Sequence, residues 1–239
     1  MSRNIVITLL AVLGTLTGCV NADDSHTNSD KDDQTSEGSS THSVNGSIHV
    51  KAGETKDDLS TVNGSIQVAD NAVFTTAQTV NGSITLGAHA TGQSLTTVNG
   101  SITLGDGASV SHAISAVNGK LTLHTGADVA GTLTNVNGRV LLQAAHVGGG
   151  IKTVSGDIDI GSNSHVEGGI LVKKEGTQVF WFFRWNSNDT PRIVIGPGAV
   201  VQGDLRFERN VLLYVSDSAT IGPVSGATAV KFSGETPPR

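Results

Sequence analysis

The chain has 239 residues, a formal net charge of −6, 4% aromatic residues, 30 glycines and one cysteine. That length holds one domain or two small ones. The negative balance, with no basic patch to neutralise phosphates, argues against a nucleic-acid partner, and a single cysteine excludes an intramolecular disulfide.

The chain begins with an export signal. Arg3 supplies a positive start, and Ile5 to Leu16 form an apolar run too short to span a bilayer comfortably. Leu16-Thr17-Gly18-Cys19 follows. This tetrapeptide resembles the bacterial lipobox. The resemblance implies that residues 1–18 are a lipoprotein signal peptide and that Cys19 carries the lipid anchor. Acyl chains contribute about 0.8 kcal/mol per buried CH₂, so several chains hold firmly. Val20, rather than Asp, follows the cysteine. In a Gram-negative cell that implies sorting to the outer membrane.

Residues 20–42 hold six acids, eight Ser or Thr and almost no apolar side chains. Such a segment cannot offset the entropy of ordering. Residues 19–42 are therefore predicted to be a lipidated cysteine and a disordered acidic tether, with a reach of roughly 25 Å.

Residues 43–225 are read as one repeat domain. Val-Asn-Gly begins at Val44, Val62, Val80, Val98, Val117 and Val136, and Val154-Ser155-Gly156 is a seventh, altered copy. The steps are 18, 18, 18, 19, 19 and 18 residues. A period that strict is a stacked unit. In the first copy Val44, Gly46, Ile48 and Val50 alternate with Asn45, Ser47 and His49. The alternation predicts a strand with the first set facing inward. A second apolar stretch recurs at Val110 and Ile114, Val129 and Leu133, and Val166 and Ile170, and in earlier units ends at Leu59, Ala77 and Leu95. A unit this short cannot hold a helix, a strand and their connections. The expected fold is all-β: a single-stranded β-helix of about 8–9 turns with 18–19 residues per turn, its rungs about 4.8 Å apart.

The Asn column of Asn45, Asn63, Asn81, Asn99, Asn118 and Asn137 is predicted to hold the corners. Asn-Gly tolerates positive φ, and stacked amides can form a ladder. Beside it run Ser47, Ser65, Ser83 and Ser101, then Lys120, Arg139 and Asp157. Thr persists for three turns only, at Thr85, Thr103 and Thr122, which argues against a flat ice-binding face.

After Val172 the pattern is interrupted. Ile158-Asp159-Ile160-Gly161 matches Ile193-Val194-Ile195-Gly196 at an offset of 35, so two turns are separated by about seventeen extra residues. The insert, 173–192, carries five of the nine aromatics, at Phe180, Trp181, Phe182, Phe183 and Trp185. With Arg184 between the rings, it is the candidate interaction segment, either folded back on the rod or exposed to a partner or membrane interface. Leu213, Val215, Ala219 and Ile221 read as a degraded last turn, and 226–239 as a C-terminal tail.

Ile193-Val194-Ile195-Gly196-Pro197-Gly198-Ala199-Val200-Val201-Gln202-Gly203-Asp204-Leu205 resembles the bactofilins, polymer-forming bacterial cytoskeletal proteins. Val154-Ser155-Gly156-Asp157-Ile158 and the Val-Asn-Gly-Ser-Ile series resemble the adhesin-like β-strand-repeat domains of envelope proteins. The likeness covers roughly residues 43–225. It implies a right-handed β-helix without enzymatic activity.

None of the eight histidines shows the paired spacing of a zinc enzyme. Asp157 and Asp159 lie close but lack a partner base or nucleophile, and there is no Gly-x-Ser-x-Gly elbow or phosphate-cradling loop. No catalytic residue, metal or cofactor is predicted. The expected role is a membrane-anchored structural or interaction protein of the bacterial envelope. Its expected partners are the membrane, through the lipid, and further copies of the chain or an envelope protein or polysaccharide. An adhesin or glycan binder ranks second, and a carbohydrate-active enzyme third.

Overall fold

The computed structural model describes residues 39–174 and 190–237. All regular structure among these residues is strand, and every strand pairing is parallel. The chain coils as a β-solenoid in which each turn, or rung, lies on the one before. Apolar alternation in three-residue strands makes this possible. In Ile48–Val50, Ile66–Val68 and Ile84–Leu86 the outer two residues are buried and the middle one is exposed.

A complete rung has three sides. Side 1 is a ten-stranded sheet running from Ile48–Val50 to Ala229–Phe232. Side 2 consists of two-residue strands, from Thr91–Gly92 to Thr220–Ile221. Side 3 starts at Ser39–Ser43 and ends at Val224–Ser225. In the first two rungs, Thr55–Thr61 and Val73–Asn81 cover sides 2 and 3 without a break. Sides 2 and 3 therefore join into one seventeen-stranded sheet.

The stack has ten levels on side 1, one more than the upper sequence expectation. The tenth is Ala229–Phe232, which pairs with Leu212–Ser216. These residues fall in the segment read as a tail, because they lack the repeat motif. Phe232, in register with Ser216, is buried and closes the end of the stack with an apolar ring.

The core consists of stacked columns. On side 1, Ile48, Ile66, Ile84, Ile102, Leu121, Val140, Ile158 and Ile193 follow one another in register. On side 3, Leu59, Ala77, Leu95, Ile114, Leu133, Ile151, Ile170 and Leu205 do the same. The offset residues Leu59, Ala77 and Leu95 thus belong to the same column as Ile114, as the sequence suggested. Side 2 shows size compensation between rungs. A Cβ on Gly92 would sit 2.1 Å from the Phe74 ring, so the large ring of one rung occupies the space that the glycine of the next leaves empty.

The Val-Asn-Gly corner departs from the predicted alternation. Val44 is 63% exposed and Val136 38% exposed, while the corresponding valines at 62, 80, 98, 117 and 154 are half-buried. None belongs to the core, so the motif's Val does not face inward. The inward residue is the one before it. Thr61, Thr79 and Thr97 are buried, and their hydroxyls donate to the carbonyls of Gly46, Gly64 and Gly82 at 2.9, 2.9 and 3.1 Å. At Asn135 an amide replaces the hydroxyl and donates to the Gly119 and Gly138 carbonyls. These bonds satisfy part-buried corner carbonyls. In four of the six copies the side-3 strand runs through the motif's Asn and the chain bends at the glycine, so the period of 2 does not carry across the corner and resumes at the next side-1 strand.

The motif's glycine has a different cause from the one expected. Its asparagines are not among the residues with positive φ, and Gly138 is the one motif glycine with such a value among the described residues. Close approach requires the glycine instead. A Cβ on Gly64, Gly82, Gly100 or Gly119 would lie 1.8–2.1 Å from the glycine carbonyl oxygen of the rung below. Left-handed residues occur at another corner. Gly53, Asn71, His89, Gly107, Gly126, Ala144, Asn163 and Gly198 all have φ between 49° and 70° and recur with the repeat.

The insert leaves after Val172 and the chain returns at Arg192. Ile158 pairs with Ile193 as if nothing intervened. The insert therefore replaces a single corner, the one that would stack on Val154-Ser155-Gly156. Arg209, from the following corner, reaches back to the corner at Val154-Ser155. Its Nη1 donates to the Val154 carbonyl at 3.1 Å and to Ser155 Oγ at 3.2 Å.

Candidate interaction surfaces

The asparagine column forms the predicted ladder over five rungs. The Nδ2 groups of Asn63, Asn81, Asn99 and Asn118 donate to the Oδ1 atoms of Asn45, Asn63, Asn81 and Asn99 at 2.9–3.0 Å. Asn118 Oδ1 is buried and accepts no bond, so the ladder stops below Asn137. The neighbouring serines are also used in stacking. Ser47, Ser65, Ser83 and Ser101 each accept, through Oγ, the backbone N–H one rung up, from Ser65, Ser83, Ser101 and Lys120. Both columns spend their polar groups on rung-to-rung bonds.

Side 1 carries the outward column His49, Gln67, Thr85, Thr103, Thr122, Leu141, Asp159, Val194, Tyr214 and Val230. It is polar at first and largely apolar towards the end. Asp159 accepts from Arg139 Nη2 at 2.5 Å, and Asp157 Oδ1 accepts the Arg192 N–H at 2.8 Å. The guanidinium of Arg192 lies over the Tyr214 ring at 5.1 Å. The two carboxylates thus hold neighbouring rungs together at the edge of the interruption.

Side 2 has a charged cluster that residue types alone did not single out. Asp128, His146 and His165 stack in register on three successive rungs. His146 Nδ1 lies 2.5 Å from Asp128 Oδ1, and its Nε2 lies 3.3 Å from Glu167 Oε1. The His165 ring is tilted against the His146 ring, 5.6 Å between centroids. The hydrogen bond to Asp128, then that to Glu167, raises the His146 pKa against a smaller opposing effect of desolvation. The signal was present in the repeat spacing: Asp128-Val129, His146-Val147 and His165-Val166 are 18 and 19 residues apart. Finding it requires wrapping the chain on its period before looking for clusters. Among the described residues, no group of three or more His, Cys, Asp and Glu is placed to hold a metal ion.

At the corner between sides 2 and 3 lies an open groove of about 190 Å³, bordered by Gly149, Gly168, Gly169, Lys152, Asp204 and Arg206. Cys19 and the aromatic segment Phe180, Trp181, Phe182, Phe183, Arg184 and Trp185 lie outside the described residues.

Comparison with protein-family models, with curated proteins and with solved structures returned no match. The chain is a β-solenoid repeat protein. Its stacked all-parallel rungs establish that much.

Proposed function

We propose that the chain is a lipid-anchored, extracytoplasmic and non-enzymatic protein of the bacterial envelope that presents a rigid solenoid for self-assembly or partner binding. The observation that carries the reading is the continuous ten-stranded ladder of side 1. Its terminal strands, Ile48–Val50 and Ala229–Phe232, have one partner each among the described residues. The outer edge of a parallel strand is a template for another strand. The resemblance to bactofilins favours self-assembly, and that to adhesin-like repeats favours binding to an envelope protein or polysaccharide. The lipobox-like Leu16-Thr17-Gly18-Cys19 supports the anchor. The engagement of Asp157 and Asp159 in rung-to-rung contacts favours a structural role for both acids over catalysis.

The test uses the mature chain with Cys19→Ser. Light scattering and negative-stain microscopy should show assemblies growing with concentration. A chain that stays monomeric throughout, yet is retained by envelope polysaccharide, moves the role to the adhesin reading. Separately, the wild-type chain should partition with membranes and the Cys19→Ser chain should not. Equal partitioning removes the anchor.

A further inference from the structure

Side 3 changes character along the stack. Its outward column reads Ser60, Gln78, Thr96, Ser115, Thr134, Lys152, Leu171, Arg206 and Ser225, each in register with the next. The first five are uncharged. Lys152 and Arg206 then flank Leu171, two rung steps apart, about 10 Å. Lys173 and Lys174 follow directly after Val172, where side 3 ends. Four cations thus occupy three successive rungs. The nearby carboxylates are Glu208, 3.4 Å from Arg206 Nη2, and Asp204 at the groove. The Arg206–Glu208 pair is exposed, with 68% of the arginine side chain accessible, so it screens the guanidinium only partly. The charge of the whole chain is −6.

We infer that side 3 at these rungs is a docking face for an anionic lipid bilayer, with Lys152, Lys173, Lys174 and Arg206 as its headgroup contacts. Charge complementarity selects the face. An anionic surface attracts a cation cluster, and this face sets four cations against Asp204 and Glu208, which favours its approach within a Debye length of about 8–10 Å. Geometry selects a bilayer over a soluble anion. Lys152 and Arg206 border one open groove with half-exposed Leu171 between them, and Lys173 and Lys174 follow Val172, so cations and an apolar side chain share one exposed surface. Lysines on a planar surface with an apolar neighbour suit the headgroup layer. The inference rests on the proposed anchoring at Cys19, which would keep the rod near the bilayer. It adds an orientation: the rod lies along the membrane with side 3 down.

The experiment is vesicle co-sedimentation of the mature Cys19→Ser chain. Phosphatidylcholine vesicles containing phosphatidylglycerol are compared with phosphatidylcholine alone. Binding is expected to the anionic vesicles only and should weaken with salt. Each of Lys152→Gln, Lys173→Gln, Lys174→Gln and Arg206→Gln should weaken it roughly fivefold, and together they should abolish it. The control Lys51→Gln/Lys56→Gln should bind as the parent does, and circular dichroism should show the same fold in every variant. The inference is overturned if anionic vesicles are not bound. It is overturned equally if the control loses as much as the quadruple variant, or if soluble polyglutamate is bound and vesicles are not. Anchoring is read separately. If the wild-type chain partitions with membranes and the Cys19→Ser chain ignores anionic vesicles, the anchor stands and the docking face falls.

Discussion

The first six rungs and the last four close their turns differently. In the first six, each turn passes through Val-Asn-Gly. There the Asn amides stack over most of the rungs, the glycine backbones touch, and a buried Thr or Asn ties most of the corner carbonyls. At the seventh rung the asparagine is lost although Gly156 still meets the Gly138 carbonyl, and beyond it the arrangement fails. The inward corner column becomes apolar at Val172 and Phe207, one corner is replaced by the insert, and Arg209 reaches back to the Val154 carbonyl. The core columns nevertheless continue without a register shift, from Ile158 to Ile193 to Leu213. Continuity of the solenoid therefore resides in its inward apolar columns. The repeated tripeptide is a way of turning the chain, and it is dispensable where another group satisfies the exposed carbonyls.

The strongest way to break this contrast is Gly100→Ala. The added Cβ would sit 1.8 Å from the Gly82 carbonyl oxygen and 2.4 Å from its carbon. Both are backbone atoms held by the ladder, so the rungs must separate. A loss of more than about 4 kcal/mol is expected, at the severe end for one substitution. Gly53→Ala is the reference. Gly53 has φ +70° and nothing within 4 Å of its Cβ position. It should lose only the backbone cost of a left-handed alanine, about 1–2 kcal/mol. Denaturant midpoints of the two variants decide the matter. Equal losses would show that close approach is not what the corner glycine provides.

Arg209→Ala tests the irregular half. It removes charge-assisted bonds to Val154 and Ser155, at an expected cost of about 1.5–3 kcal/mol. The loss should be local. Amide exchange should accelerate in 153–156 and stay unchanged in the first four rungs, since rungs couple mainly to their neighbours. Uniform acceleration along the stack would mean that the two halves unfold as one unit.

The solenoid was legible in the sequence because its cause is local and repeated. Ile66-Gln67-Val68 alternates within three residues, and the period aligns it with Ile84-Thr85-Leu86. The amide ladder was legible for the same reason. The role of the motif's valine was not. A period of 2 carried backwards from Ile48 puts Val44 inside, but the chain bends at Asn45 and the alternation does not cross a bend. Thr61, Thr79 and Thr97 escaped notice because their function is to satisfy carbonyls of glycines fifteen residues earlier. That contact exists only once the turn has closed. The tenth rung was hidden because Phe232 fills the core without any motif to mark it. The side-2 cluster and the side-3 cations are likewise products of register, not of spacing along the chain.

The smallest effect expected is the pH dependence of the side-2 cluster, and it distinguishes two ways of joining rungs. The amide ladder between Asn63 and Asn81 is uncharged and should hold across neutral pH. The clamp at His146 depends on a proton. Its pKa is raised in the folded chain, first by the hydrogen bond to Asp128 and then by that to Glu167. The remaining ring on this face, His165, lies beside it. A folded pKa above the unfolded value of about 6.5 means that the protonated clamp stabilises fully below that pH. The contribution then disappears as pH rises through the folded value. Much of the cluster is open to solvent, which limits its size. His146→Gln should therefore flatten the pH dependence of the melting temperature above the unfolded histidine value, while Asn81→Ala should lower stability by the same amount at every pH. The His146 ring proton shifts, followed by NMR, should titrate above those of a free histidine and return to the ordinary range in Asp128→Asn. If Asp128→Asn leaves that titration unchanged, Asp128 does not hold the proton and the clamp between these rungs is neutral.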